Sequence, residues 1–359
     1  MHQLADLFDQ AQRQSIKDAP LWMGARHPTW YPLFHDKPRA LDVLVNEAFR
    51  RVRHVGGDVW LKALVPSLLD FKSINNASSA LAELRAYGGL LEAGFTVTPI
   101  PRKSSATPDF TVDAGDGPIT VEVFSKHQDK QQDDLLNAVH STGAALPAEV
   151  ERRTRQMGST TITTTVTVLN PGGVPNPSKP HDSVQANVIS RVCGIKQDES
   201  QVPDDRPAIL IADFGHFGGP VGAEFLKPDQ AAPVESGHHG ITCGAIWYAL
   251  YGWKGAPIFE EGSHRLVPMG HDGRFRLAGP KKSKLSAVLA VFAEGAVLLE
   301  NPWATRQLTE QSRWSLVKFP WFNVARSIAA WHTGDCAAQV DQQRRMIEAM
   351  ERNSTRMQW

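Results

Sequence analysis

The chain has 359 residues, and 38 Lys plus Arg balance 38 Asp plus Glu, so there is no global basic field and any nucleic-acid surface has to be a local patch. With 42% hydrophobic and 21% charged residues it can bury a large core, which excludes a disordered or fibrous chain. Cys193, Cys243 and Cys336 are too widely spaced for a zinc motif or a disulfide framework and fit a reducing compartment. The opening MHQLADLFDQ lacks a basic segment followed by an apolar run, and no uncharged apolar stretch reaches membrane-spanning length. The expectation is a cytoplasmic protein with no membrane partner.

Residues 1–17 have a helical pattern and lead into a connector rich in Trp and Pro, from Pro20 to Pro38. Helices are expected over 40–53 and 58–70, where Leu41, Leu44, Val45 and Phe49 recur at helical spacing. Together, residues 1–72 form a helical N-terminal cap, with Arg50, Arg51 and Arg53 on its solvated face. A further helix over 77–93 carries Leu81, Leu84, Gly88 and Leu91 on one stripe and ends at Gly94. Glu83 lies beside Leu84 at the edge of that stripe, either facing a site or as a surface acid. A strand over 95–100 and a loop with Arg102 and Lys103 follow.

The stretch 108–126, PDFTVDAGDGPITVEVFSK, is the centre of the sequence argument. Around the Ala114-Gly115-Asp116-Gly117 turn, a symmetric hairpin pairs Val112 with Ile119, Phe110 with Val121, and Asp109 with Glu122. Phe110, Val112, Ile119, Val121 and Val123 then line an apolar face, and Asp109, Thr111, Thr120 and Glu122 a polar one. Carboxylates opposed at about 5 Å repel by roughly 3 kcal/mol at an effective dielectric of ~20. A hard divalent cation would offset that repulsion. Mg²⁺, or Mn²⁺ in its place, suits a site with few protein carboxylates and several waters. The plain alternative is an exposed hairpin with solvated acids. On a polar face, truncating either acid is expected to change stability little.

Beyond the hairpin, a helical segment near 133–139 and the basic residues Arg152, Arg153 and Arg155 precede a half-exposed strand over 160–169. Residues 171–180 are a Pro- and Gly-rich loop. Asp182 and Gln185 resemble a capping box before a helix with the stripe Val184, Val188, Val192 and Ile195. The run AILIA at 208–212 is an apolar strand buried on both faces. A strand over 241–249 and a hairpin of 285–292 with 295–299 extend the sheet. His238 and His239 belong to a loop and not to a zinc site. Lys281, Lys282 and Lys284, with Arg274 and Arg276, form the best local cluster for phosphate contacts, or else a solvated loop. From Ser315 the chain is mainly helical, with Trp314, Trp321 and Trp331 as packing anchors.

The order helix, strand, P-D strand, E-bearing strand resembles the PD-(D/E)XK nuclease superfamily over roughly 78–126. That resemblance implies an α/β fold with a restriction-endonuclease-like central mixed sheet flanked by helices, its core spanning 73–300, with a helical extension over 301–359. It also implies Asp109 and Glu122 as metal ligands, joined by Glu83 from the preceding helix, with Mg²⁺ (or Mn²⁺) as cofactor. The implied reaction is hydrolysis of nucleic-acid phosphodiesters, with DNA as the favoured substrate. The chain departs from the pattern at the lysine, because the element reads Glu122-Val123-Phe124. Lys126 keeps the strand phase of Glu122 and is expected to supply the missing ammonium, with Gln128 as a neutral substitute. Lys196 and Gln201, just before the AILIA strand, resemble the lysine-and-glutamine segments of some members. The competing expectation is a nuclease-derived binding or structural protein that has lost catalysis.

Overall fold

A computed structural model describes residues 3–21, 26–101, 107–125, 149–167, 184–197, 199–215, 228–230, 241–259, 266–293, 295–333 and 335–356. The first part of the chain is helical: α1 (Gln10–Asp18), α2 (Trp30–Phe34), α3 (Ala40–His54), α4 (Asp58–Leu68) and α5 (Ile74–Glu92). Three strands follow, β1 (Thr96–Pro99), β2 (Phe110–Asp113) and β3 (Pro118–Ser125), then β4 (Glu149–Met157), β5 (Thr160–Thr167), α6 (Val184–Cys193) and β6 (Ala208–Asp213). The remainder comprises β7 (Pro228–Gln230), β8 (Ile241–Cys243), α7 (Ala245–Tyr251), β9 (Pro257–Phe259), β10 (Leu266–Pro268), β11 (Ala287–Phe292), β12 (Gly295–Glu300), α8 (Glu310–Leu316), α9 (Ala330–Thr333) and α10 (Cys336–Arg356).

The fold is mixed α/β, with a six-stranded sheet in the order β1-β2-β3-β6-β11-β12. β6 runs parallel to both β3 and β11, and the two hairpins β2-β3 and β11-β12 are antiparallel. An unbroken apolar strand belongs in such a central position, since both its faces are covered. Along β6, Ile209 and Ile211 join one hydrophobic cluster with Phe49, Leu84, Val121 and Leu316, while Leu210 joins the opposite cluster with Val192, Trp247 and Val340. Helices from both ends of the chain thus share the cores formed on the sheet.

Several elements follow directly from local chemistry. Gly94 ends α5 with φ +86°, a conformation that costs glycine nothing. At the β2-β3 turn, the Asp113 carboxylate accepts from the amides of Gly115 at 2.6 Å and Gly117 at 3.2 Å. The ladder pairs Phe110 with Val121, Thr111 with Thr120 and Val112 with Ile119, the register expected from the alternation.

Other expectations need correction. Only Ile241–Cys243 of the 241–249 run is extended; Gly244 turns left-handed at φ +58° and the rest is the wholly buried helix α7. A short apolar run buried on all sides has no periodicity with which to separate strand from helix. The 1–17 helix divides into a short turn at Leu4–Leu7 and α1, whose Asp9 accepts from the Gln12 amide. The basic stretch before Thr160 is itself a strand, since β4 pairs with β5. Trp314 and Trp321 are exposed rather than anchoring the core. Arg102, Lys103, the 133–139 helix, the 171–180 loop, Asp182, His238 and His239 lie outside the described residues.

At the α3–α5 crossing, a Cβ built on Gly88 would fall 2.3 Å from both the Cα and the Cβ of Ala48, so Ala48 packs directly on the glycine backbone. Gly88→Ala is therefore expected to destabilise the protein by roughly 1–3 kcal/mol through overpacking. A denaturant titration reads this directly, and an unchanged midpoint would contradict the close crossing.

Candidate functional site

The site forms where β2 leaves β3. β2 begins at Phe110, and Asp109 stands just before it, its amide donating to Val121 O at 3.2 Å while its carbonyl accepts from the Ile100 amide at 2.9 Å. Its carboxylate Oδ2 accepts from the Val123 amide at 2.8 Å. A side chain thus takes a donor that strand pairing would otherwise have used. This places the half-buried Asp109 beside the stretch of β3 that carries Glu122.

Glu122 is only 4% exposed, because β3 lies between β2 and β6 and both faces of the sheet are covered. The expectation of an exposed polar face is corrected accordingly: Thr120 is buried too, and Phe124 packs against the cluster built on α6 and α7. Glu122 Oε1 lies 2.6 Å from the Lys196 Nζ. Its other oxygen, Oε2, is buried and has no hydrogen-bond partner among the described residues. Lys196 comes from the loop after α6 and also donates to Gln201 Oε1 at 3.3 Å, and the Gln201 amide in turn donates to Thr107 O at 2.9 Å. The lysine loop is thereby tied to the segment that presents Asp109.

Burial first, and then the neighbouring charge of Asp109, push the Glu122 carboxyl up to about 7. The hydrogen bond and charge of Lys196 oppose this, and Glu83, half-buried on α5, adds a smaller upward push. Asp109, Glu122 and Glu83 are therefore electrostatically linked. Among the described residues, however, no three His, Cys, Asp or Glu side chains converge as a metal-holding group. A cation here would rest on two protein carboxylates and water, with Glu83 contributing charge. The donor set fits such an ion: Oε2 of Glu122 is an orphaned buried acceptor, and a second carboxylate stands close enough to raise its pKa.

Lys126 and Gln128 lie outside the described residues. Among the described residues, the ammonium at Glu122 is that of Lys196, which the sequence marked through its placement with Gln201 just ahead of the buried strand. The basic cluster is corrected in part. Arg274 is buried on Glu199 and is not free for phosphate, while the half-buried Arg276 sits 4.6 Å from the Trp303 ring centroid and donates through Nε to Tyr251 O. Lys284 pairs with Asp204 at 3.0 Å, while Lys281 and Lys282 are exposed. Comparison with family models, curated proteins and solved structures finds no match for this chain.

Because the native state holds the Glu122 proton more tightly than the unfolded chain, with its ordinary value of 4.5, the associated stability is full below that value and is lost as pH rises through about 7. In a chelating buffer, wild type is expected to lose about 2–3 kcal/mol relative to Glu122→Gln between pH 5 and pH 8. Parallel stability curves for the two proteins would show that Glu122 titrates normally.

Proposed function

We propose that the protein is a divalent-metal-dependent nuclease hydrolysing phosphodiester bonds, with DNA as the favoured substrate, on a restriction-endonuclease-like sheet. The observation that carries this reading is the Lys196 Nζ at 2.6 Å from the buried Glu122, on a strand whose open edge is capped by Asp109. An acid after Pro108, an acid on the next strand and a lysine converge, with the lysine supplied by a different segment.

Asp109 and Glu122 would hold the cation, which when bound supplies Lewis-acid polarisation of the phosphate and a more acidic water. Lys196 holds the carboxylate of Glu122 in place and shares a second donor with Gln201, leaving a third N–H for a phosphate oxygen or the attacking water. The largely buried setting strengthens each of these interactions relative to water.

One observation favours a second reading. The ammonium of Lys196 already neutralises part of the acidic pair, and the described residues offer no third ligand. In a nuclease-derived binding protein, lysine would have taken over the cation's role for good. A cleavage assay on duplex DNA, single-stranded DNA and RNA separates the two. The enzyme is expected to cut at least one of them with Mn²⁺ or Mg²⁺ and not with chelator. Asp109→Asn, Glu122→Gln and Lys196→Met should each reduce the bound-state rate by 100-fold or more, with substrate affinity changed only a few-fold. Equal cutting by wild type and all three variants would remove this site from the reaction, and no cutting by wild type would favour the binding protein.

A further inference from the structure

Lys196 reaches Glu122 from a backbone that does not hold itself in place. Its φ is +49° and that of Glu199 is +47°, two non-glycine residues in the left-handed region within four positions. Such geometry persists only where the surroundings over-determine it. Those surroundings centre on Arg274, which is 2% exposed. Its guanidinium donates to the carbonyls of Ile195 and, at 2.7 Å, Lys196, and to Glu199 Oε1 at 2.9 and 2.7 Å. Glu199 is completed by the Ser283 hydroxyl at 2.7 Å and the Lys284 amide, so its charge is paired and hydrogen-bonded at both oxygens.

Arg274 is itself fixed. It follows Gly273, where an added Cβ would meet the Leu250 backbone at 2.8 Å, so the turn lies directly on the buried helix α7. The planar fork of an arginine suits a task of this kind, three acceptors met from one rigid group, which lysine cannot reproduce. Its bonds flank the residue that carries the ammonium.

We propose that Arg274 is a positioning residue: by locking the 195–199 loop in its left-handed turn through Ile195 O, Lys196 O and Glu199, it aims the Lys196 ammonium at Glu122. The role assigned to that ammonium rests on the nuclease reading above; the clamp itself does not.

The test uses the full-length protein and two readouts. In the first, a water-soluble acetylating ester labels lysines, and the Lys196 rate is taken relative to exposed Lys17 by peptide mass spectrometry. Arg274→Met is expected to raise the Lys196 rate at least fivefold, and Arg274→Lys to leave most of that rise in place. Arg313→Met, which breaks a buried arginine–carboxylate pair with Glu300 elsewhere in the protein, should not raise it. A folded Arg274→Met protein with a Lys196 rate within twofold of wild type, or an equal rise in Arg313→Met, overturns the proposal. If Arg274→Met does not fold, Ser283→Ala is read in its place, with about a twofold rise expected and no rise counting against the clamp. The second readout is single-turnover cleavage with Mn²⁺, where Arg274→Met should slow the bound-state rate at least tenfold with duplex affinity within twofold. A wild type that never cleaves, while Lys196 labelling follows the expected pattern, refutes the nuclease reading and leaves the clamp standing. A cleaving wild type with unmoved labelling refutes the clamp alone.

Discussion

The buried carboxylate of Glu122 is the constraint around which the rest of the site is arranged. Removing an anion from water on a strand covered on both sides is costly unless it is paired and hydrogen-bonded. Here one oxygen is met by Lys196 and the other by no partner among the described residues. Asp109 worsens the problem electrostatically while solving a different one, the unpaired Val123 amide beside the end of β2. A fold meant only to be stable would place an apolar residue at Glu122, as it does at Val121 and Val123 on the other face. Retaining the acid makes sense if it has a ligand to bind.

Among the described residues, three buried arginine–carboxylate pairs brace the ends of the sheet and its loops. Arg85 of α5 donates to Asp213 at the end of β6, Arg313 of α8 pairs with Glu300 at the end of β12, and Arg274 with Glu199 fixes the lysine loop. The first and third join elements distant in sequence, whereas the second ties α8 to the strand just before it. Replacing such a pair by apolar groups is often neutral for stability, whereas removing one partner leaves an uncompensated charge and costs about 3–5 kcal/mol. Their value lies in geometry more than in stability, since two N–H bonds from one planar guanidinium hold strand ends and loops in one arrangement.

The hairpin was legible in the sequence because two independent signals agreed: a Gly-rich turn and a period-2 alternation that admits one register. The central strand was legible for a similar reason, being apolar without interruption. What escaped was set by tertiary cover. The second face of β3 looks polar in sequence because Thr120 and Glu122 alternate with valines, yet α6 and α7 bury it from 60 or more residues away. The sequence named Lys196 through its placement before the buried strand, but not its contact with Glu122, which arrives across the chain from a loop with left-handed residues and is encoded by no local pattern. Arg274 itself, grouped by sequence with a basic surface, is drawn inside by Glu199.

The most direct test of the account is anomalous diffraction from a crystal of the protein soaked in Mn²⁺ near pH 7.5. The account predicts a single strong peak within coordinating distance of the Asp109 and Glu122 carboxylates, lost in Glu122→Gln. An ordered site at that position with Lys196 still paired to Glu122 and no anomalous density at saturating Mn²⁺ would contradict it.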